Sequence, residues 1–495
     1  IMGASSVTLT ARSDTLATIT VQGDIQASGA VQLSAQSGAT ETITSFTSHA
    51  ATSIATVSIT GAGTTVQGET LDITAHNRAV ITALFDAAAF TQSNLLITQD
   101  NTTAVSVGDG VTLDGASGVI VESLDDSWVQ IELDSTGIDV SGGIEIELDF
   151  ALLSSHVVLT RSTTVALDEG STAVSDGLVA LSARNDLAAR ADVAPEDLFS
   201  VSNRVLGGLV GQARNTVTDV AEASVTGATV NAALSVLASN AGVYTALGRV
   251  ASNTLDGNTL ATIAAESAIT ASGSVSVAAI DSAHLTAEAT PVLLDAQMVV
   301  GEIGLQAGVA RNSVAREVTA SLDNAVVSAT NGDITVDADA ARRLRATASG
   351  VELSDAALLG GSAFGALELG GVYAENRALG DITAAAAHSE LDTLGSGEVR
   401  VEATDTSLID AQAGLSGVAT TTGIGFVAGG ISAGVAVAFN AMGWNIDADE
   451  QTLETLIGTS FGAAAEDPLD VTASLFNTRV NAVGNVTVQA DAGAR

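Results

Sequence analysis

The sequence predicts an all-β protein, a parallel β-solenoid (β-helix) rod in which short strands stack coil upon coil, with a few short helical insertions. Three observations predict it. The chain runs to 495 residues, more than one compact core usually holds. Aromatic residues make up only 3% of it, so the core is built from small and β-branched side chains rather than large rings. One short strand pattern then returns along the whole length, as a repeat architecture requires.

That pattern is V/I/L-x-V/I/L-x-A. It occurs at Val7–Ala11, Val31–Ala35, Leu71–Ala75, Val179–Ala183, Val275–Ala279, Ile334–Ala338, Val399–Ala403 and Val486–Ala490. Alternation of apolar and polar residues is the period-two signature of a strand with one buried face. Most copies follow turn chemistry, as at Gly273, Asn331-Gly332-Asp333, Gly397 and Gly484.

A second signpost is an Asn that closes a Gly-rich apolar run: Asn215, Asn253, Asn312, Asn376 and Asn440, spaced by 38, 59, 64 and 64 residues. The Ala of the next strand pattern lies 26, 26 and 27 residues beyond Asn253, Asn312 and Asn376, and 50 beyond Asn440. The longer step predicts an insertion around Asp447–Asp470 with a short helix at Thr452–Phe461. Further helical interruptions are expected at Pro195–Gln212, opened by Pro195-Glu196-Asp197, and at Leu84–Asn94. A 64-residue unit would hold roughly three coils of about 20 residues, giving a rod on the order of 100 Å long. In such units the asparagines lie too far apart to stack as an amide ladder, so each is expected to support its own tight turn.

The chain divides by regularity into an irregular solenoid segment over 1–177, regular repeats over 178–444, a loop and helix insertion over 445–475, and the start of another repeat over 476–495. Between Gly108 and Phe150 the pattern becomes a sheet-like series with turns at Gly108-Asp109-Gly110, Asp114-Gly115, Gly137 and Gly142-Gly143. No secretion signal is visible in Ile1–Arg12, and both ends are expected to be cuts through a longer polypeptide.

Composition also excludes function classes. The cations are 17 Arg against 57 acids, for a net charge of −40, so nucleic acid is not an expected partner. With no Cys there is neither a disulfide framework nor a thiolate site. A hydrophobic content of 46% and only 3 Pro argue against disorder. The 36 residues Ala411–Ile446 carry no charge. Their Gly, Ser and Thr content, in phase with shorter apolar runs, reads as buried strands whose small side chains let coils pack closely, rather than as a transmembrane span.

Acid clusters are the one metal candidate. Glu132 and Asp134 share a strand face, and Glu145, Glu147 and Asp149 alternate along a nearby segment. Such carboxylates repel across a ladder unless Ca²⁺ or Arg intervenes. Asp447, Asp449 and Glu450 form a loop candidate for the same ion. The alternative reading is a solvated acidic skin that keeps a long apolar-cored rod soluble. Histidines 49, 76, 156, 284 and 388 lack metal-ligand spacing, and no nucleophile elbow, phosphate loop or zinc motif occurs, so no catalytic residues are assigned.

The strand pattern, the stretch Gly423–Asn440 and the strands that follow resemble the repeats of giant secreted bacterial exoproteins. The likeness is to the fusobacterial leukotoxin type and, more loosely, to filamentous haemagglutinin-like adhesins. It covers roughly residues 178–495. It implies a secreted, cell-surface rod that stacks on neighbouring repeats of its own polypeptide, meets an unidentified host or cell-surface receptor, and has no enzymatic activity. The expected function is therefore a structural or adhesive shaft. Its rivals are a protomer segment of a self-assembling extracellular filament or sheath, and a carbohydrate-active β-helix enzyme with carboxylates on one outer face.

Overall fold

The computed structural model describes residues 1–38, 40–44, 48–87, 93–135, 151–195, 209–290, 294–298, 301–357, 367–422, 431–445, 465–466 and 469–494. Every regular element among them is a β-strand, and almost all pair in parallel. The helices expected near residues 84–94 and 195–212 are absent where those segments are described. Leu84 belongs to the strand Val80–Ala87 and Pro195 closes the strand Thr172–Pro195. The helix expected at 452–461 lies outside the described residues.

Each coil has three faces. On the long face, the strand pattern is the repeating unit. Val7, Val31, Leu71, Val119, Val179, Leu234, Val275, Ile334, Val399 and Val486 occupy one register position, ten rungs stacked in order. Two of these rungs lie beyond the eight copies of the pattern given above: Leu234–Ala238 fits it, and in 119–123 Ser123 stands where the others have Ala. On the return face, nine parallel rungs run from Leu16–Val21 through His49–Ile59 and Ser93–Val107 to Ile431–Met442. A short face, exemplified by Ala268–Ala271, Val326–Ala329, Glu390–Thr393 and Arg479–Asn481, joins the two.

The corners follow from backbone chemistry. Between the return and short faces the chain takes positive φ, at Gly110, Gly170 and Gly227 in early coils and at Asn324 (53°) and Asn477 (48°) in later ones. Gly has no Cβ penalty there, and Asn is among the few side-chain-bearing residues that visit the left-handed region readily. The short face meets the long one at register shifts, as between Gly115 and Gly118 and between Val174 and Leu178. The turn expected at Asp114-Gly115 is thus a bulge inside the strand Thr112–Ser135. The strand Thr172–Pro195 runs through positions 177 and 178 without a break.

Register corrects the coil count. Asn312 pairs with Asn376, and Asn376 with Asn440, so a unit of 64 residues is a single wide coil and not three narrow ones. Ten rungs at about 4.8 Å make a stack of about 45 Å, half the expected length. The apolar run 411–446 forms strands where it is described, in Leu408–Thr422 and Ile431–Met442. Their described side chains are mainly half-buried or exposed instead of enclosed, because these strands take a neighbour on one edge only among the described residues. No helix among the described residues is long and apolar enough to cross a membrane.

The interior is divided lengthwise. One apolar column fills the space between the three faces, with residues such as Val121, Leu181, Val236, Val277 and Ile263. A second lies farther out between the long and return faces, with Ile131, Leu159, Val217, Leu285 and Leu344. A seam of buried polar side chains runs between the two columns.

Candidate functional site

The seam grows out of the strand pattern itself. Two residues beyond its Ala or Ser, the next inward position holds Ser13, Ser37, Asn77, Asp125, Asn185, Asn240, Asp281, Ala340, Asp405 and Ala492, stacked rung on rung. The return face answers with its own column: Ser53, Asn101, Arg161, Asp219, Gly257 and Arg316.

At its lower end the seam is neutral. The Ser53 hydroxyl donates to Asn77 Oδ1 at 2.7 Å, and Asn101 Nδ2 donates to Ser127 Oγ at 3.0 Å. Farther up it becomes ionic. Arg161 Nε donates to Asp219 Oδ1 at 2.7 Å, and Arg316 reaches both Asp219 Oδ2 and Asp281 Oδ1, the latter at 3.1 Å. Arg342 Nε donates to Asp281 Oδ2 at 2.7 Å and its outer nitrogens donate to the carbonyls of Leu379 and Arg316. The Tyr244 hydroxyl donates to Asp219 Oδ2 at 2.9 Å. Asp125, Asp219 and Asp281 thus face Arg161, Arg316 and Arg342, three charges of each sign, all at most 1% exposed.

Small residues make the long reach possible. Asp219, Gly257 and Arg316 sit on three successive rungs, and Gly257 places no side chain between the outer two. Its φ is 125°, and a Cβ there would collide with the Asp219 carbonyl. On the long face, Ala340 follows Asp281 in register, and Arg342, two residues on, supplies the cation.

The electrostatics separate two carboxylates of one kind. Burial drives Asp125 upward from the usual carboxylate range, more than Arg161, 3.9 Å away, can pull it back. Burial acts the same way on Asp219, but Arg161 and Arg316 together outweigh it and hold this carboxyl below that range. Burial opposes the charge on both arginines as well, and their acidic partners keep them firmly protonated. The Tyr244 phenol is pushed up by burial and by Asp219 and stays a donor. Shut away from solvent and paired acid to base along most of its length, the seam fixes which rung side chains sit opposite one another, since a one-residue slip would turn these ions to the outer face and bring outward side chains into the core.

The repeated asparagines form a second internal line, and here the expectation of separate turn supports is overturned. Asn215, Asn253, Asn312, Asn376 and Asn440 stand in direct register on the return face as a continuous amide ladder. Each Nδ2 donates to the Oδ1 of the next, at 2.8, 2.8, 2.9 and 3.0 Å. The second Nδ2 proton of Asn215, Asn253 and Asn312 goes across the core to the carbonyls of Thr245, Thr286 and Arg345 at 2.7–2.8 Å. The ladder therefore ties rung to rung and return face to long face. It starts abruptly: beneath Asn215 the column holds Val157 and Ile97, and Asn215 Oδ1 has no hydrogen-bond partner.

The acid candidates fare differently. Glu132 is half-buried on the outer side of the long face and accepts from Gln130 Nε2 at 3.4 Å. Its register neighbours are Leu84 and Asp192, and Asp192 is paired with Arg190 at 2.7 Å. Asp134 lies in the same strand in register with Asp86. Glu145, Glu147, Asp149, Asp447, Asp449 and Glu450 lie outside the described residues. Among the described residues no three His, Asp or Glu side chains gather as a metal site would need.

No family model, no curated protein and no solved structure matches the chain.

Proposed function

We propose that the chain is a structural or adhesive shaft, a stretch of a large bacterial protein displayed outside the cell. The observation that carries this reading is axial continuity. One register position holds through ten long-face rungs, and two internal lines, the amide ladder and the ionic seam, tie successive coils together. A stack in which each coil is hydrogen-bonded to the coils above and below resists bending and transmits load along its axis. The excess of acids that gives the chain a net charge of −40 discourages lateral aggregation of its strands. Binding to a receptor then falls to coil extensions or to neighbouring segments, with the described coils as spacer.

The test is accessibility on the producing cell. Antibodies raised against the chain should label intact, unpermeabilised bacteria, and external protease should remove that signal. Labelling that appears only after permeabilisation would overturn the extracellular reading. Ordered fibres formed by the purified chain, in place of single short rods in negative-stain images, would favour a filament protomer.

A further inference from the structure

Near the start of the long face the backbone breaks between Thr65–Asn77 and Val80–Ala87, and a cavity of about 670 Å³ opens beside the break. Arg12, Asp14, Gln36, Thr40, His76 and Arg78 line it. Register explains why they meet. Arg12, Gln36 and His76 hold one outward column on three successive rungs, so their side chains stand side by side. Arg78 is pinned at the break: its N–H donates to the Ser37 carbonyl at 2.8 Å, and a Cβ on Gly38 would collide with its own carbonyl.

The charge balance of this wall is unlike that of the chain. Acids outnumber arginines 57 to 17 overall, yet the wall itself holds two arginines and one acid, with Asp126 beside Arg78 as the one further carboxylate in reach. Arg12 makes no ion pair among the described residues, and Arg78 meets Asp126 only at 3.9 Å, both side chains being more than half exposed. Such a loose surface pair holds little energy and yields readily to a ligand. His76 Nε2 is buried without a hydrogen-bond partner. Two forks suit a carboxylate or another planar oxyanion, which guanidinium groups grip with paired hydrogen bonds. Asp14 adds what a bare inorganic anion would not use, an acceptor for hydroxyl protons, and Gln36, Thr40 and His76 add further polar partners. The volume falls in the range of small-molecule sites.

We propose that this cavity binds a sugar acid, its carboxylate held by Arg12 and Arg78 and its hydroxyls by Asp14, Gln36, Thr40 and His76. The assignment goes beyond the shaft reading and does not depend on it. Isothermal titration of the full chain at low ionic strength with glucuronate, glucose and inorganic sulfate tests it. Glucuronate should bind saturably and more tightly than either control. Arg12→Ala and Arg78→Gln should each weaken it about tenfold, the loss of one charge-assisted pair. Asp14→Asn should erase the preference for glucuronate over sulfate. Both arginines are exposed, and circular dichroism will confirm that the variants keep the fold. Absence of saturable glucuronate binding, or binding indifferent to both arginine changes, overturns the site. Sulfate binding more tightly than glucuronate in the unaltered chain overturns the sugar assignment.

Discussion

Asp125 and Asp219 lie within one buried seam and both neighbour Arg161, yet they should respond to the same substitution with opposite signs. Asp219 is held low by Arg161 and Arg316, so its stabilising contribution is complete above the ordinary carboxylate range and is lost as pH falls through its lowered value. Asp219→Asn leaves two buried guanidinium groups short of a counter-charge and should cost about 3–5 kcal/mol at neutral pH. It should also flatten the acid dependence of stability. Asp125 is raised, so its ionised form costs stability above that raised value and the cost is relieved as pH falls. Asp125→Asn should leave neutral stability unchanged or up to about 1 kcal/mol higher, and steepen the loss between neutrality and about pH 3. Denaturant melts of both variants across this range check the two signs, and a matching loss in both would refute the assignment. Gly257→Ala should be among the most damaging single changes, because neither its φ of 125° nor the Asp219 carbonyl leaves room for a Cβ.

At the scale of elements, the amide ladder makes a graded prediction. Asn312→Ala removes a bond to each ladder neighbour and the cross-core bond to the Arg345 carbonyl, and leaves the amides of Asn253 and Asn376 each short of a partner. The expected loss is about 3 kcal/mol, from unsatisfied buried polar groups. Asn215→Val sits at the ladder's end, directly above Val157, and gives up an Oδ1 that was unpaired already. It should cost roughly 1 kcal/mol less, which a comparison of thermal midpoints will show. An equal loss at both positions would mean that the ladder is not cooperative along its length. These asparagines were legible as a repeat from their spacing and the constant distance to the next strand. What they do was not, because spacing alone does not reveal how many coils lie between two copies.

For the whole molecule, wide coils in strict register predict that a complete coil is removable and a fraction of one is not. Deleting residues 253–311, the 59 residues from one ladder Asn to just before the next, brings Asn312 above Asn215 and Ile334 above Leu234. It also sets Arg316 directly over Asp219, while depriving Arg342 of Asp281. The product should fold, with a lower melting temperature and a stack shorter by about 4.8 Å in solution scattering. A deletion half that long puts inward residues on the outer side or breaks the corners, and should yield insoluble protein. If both deletions fold equally well, axial register is not what organises the rod.

Alternation of apolar and polar residues, scarcity of aromatics and recurrence of one strand pattern were enough to determine an all-β parallel stack, because a period of two dictates which side chains face inward wherever a strand forms. An inward polar residue follows most copies of the pattern, at Asn77, Asn185, Asp281 and Asp405 though not at Ala340 or Ala492, and a pattern read two residues further would have found one wall of the seam. The other wall could not be read. Successive copies of the pattern are separated by 24 residues between Val7 and Val31 but by 65 between Ile334 and Val399, so no fixed offset leads from an acid to its cations: Asp219 meets Arg161 58 residues before it and Arg316 97 residues after it. Only the tertiary structure decides those pairings, and with them the width of the coil, because the length of a coil is set by where its corners fall, and its register by which buried groups find partners across the core.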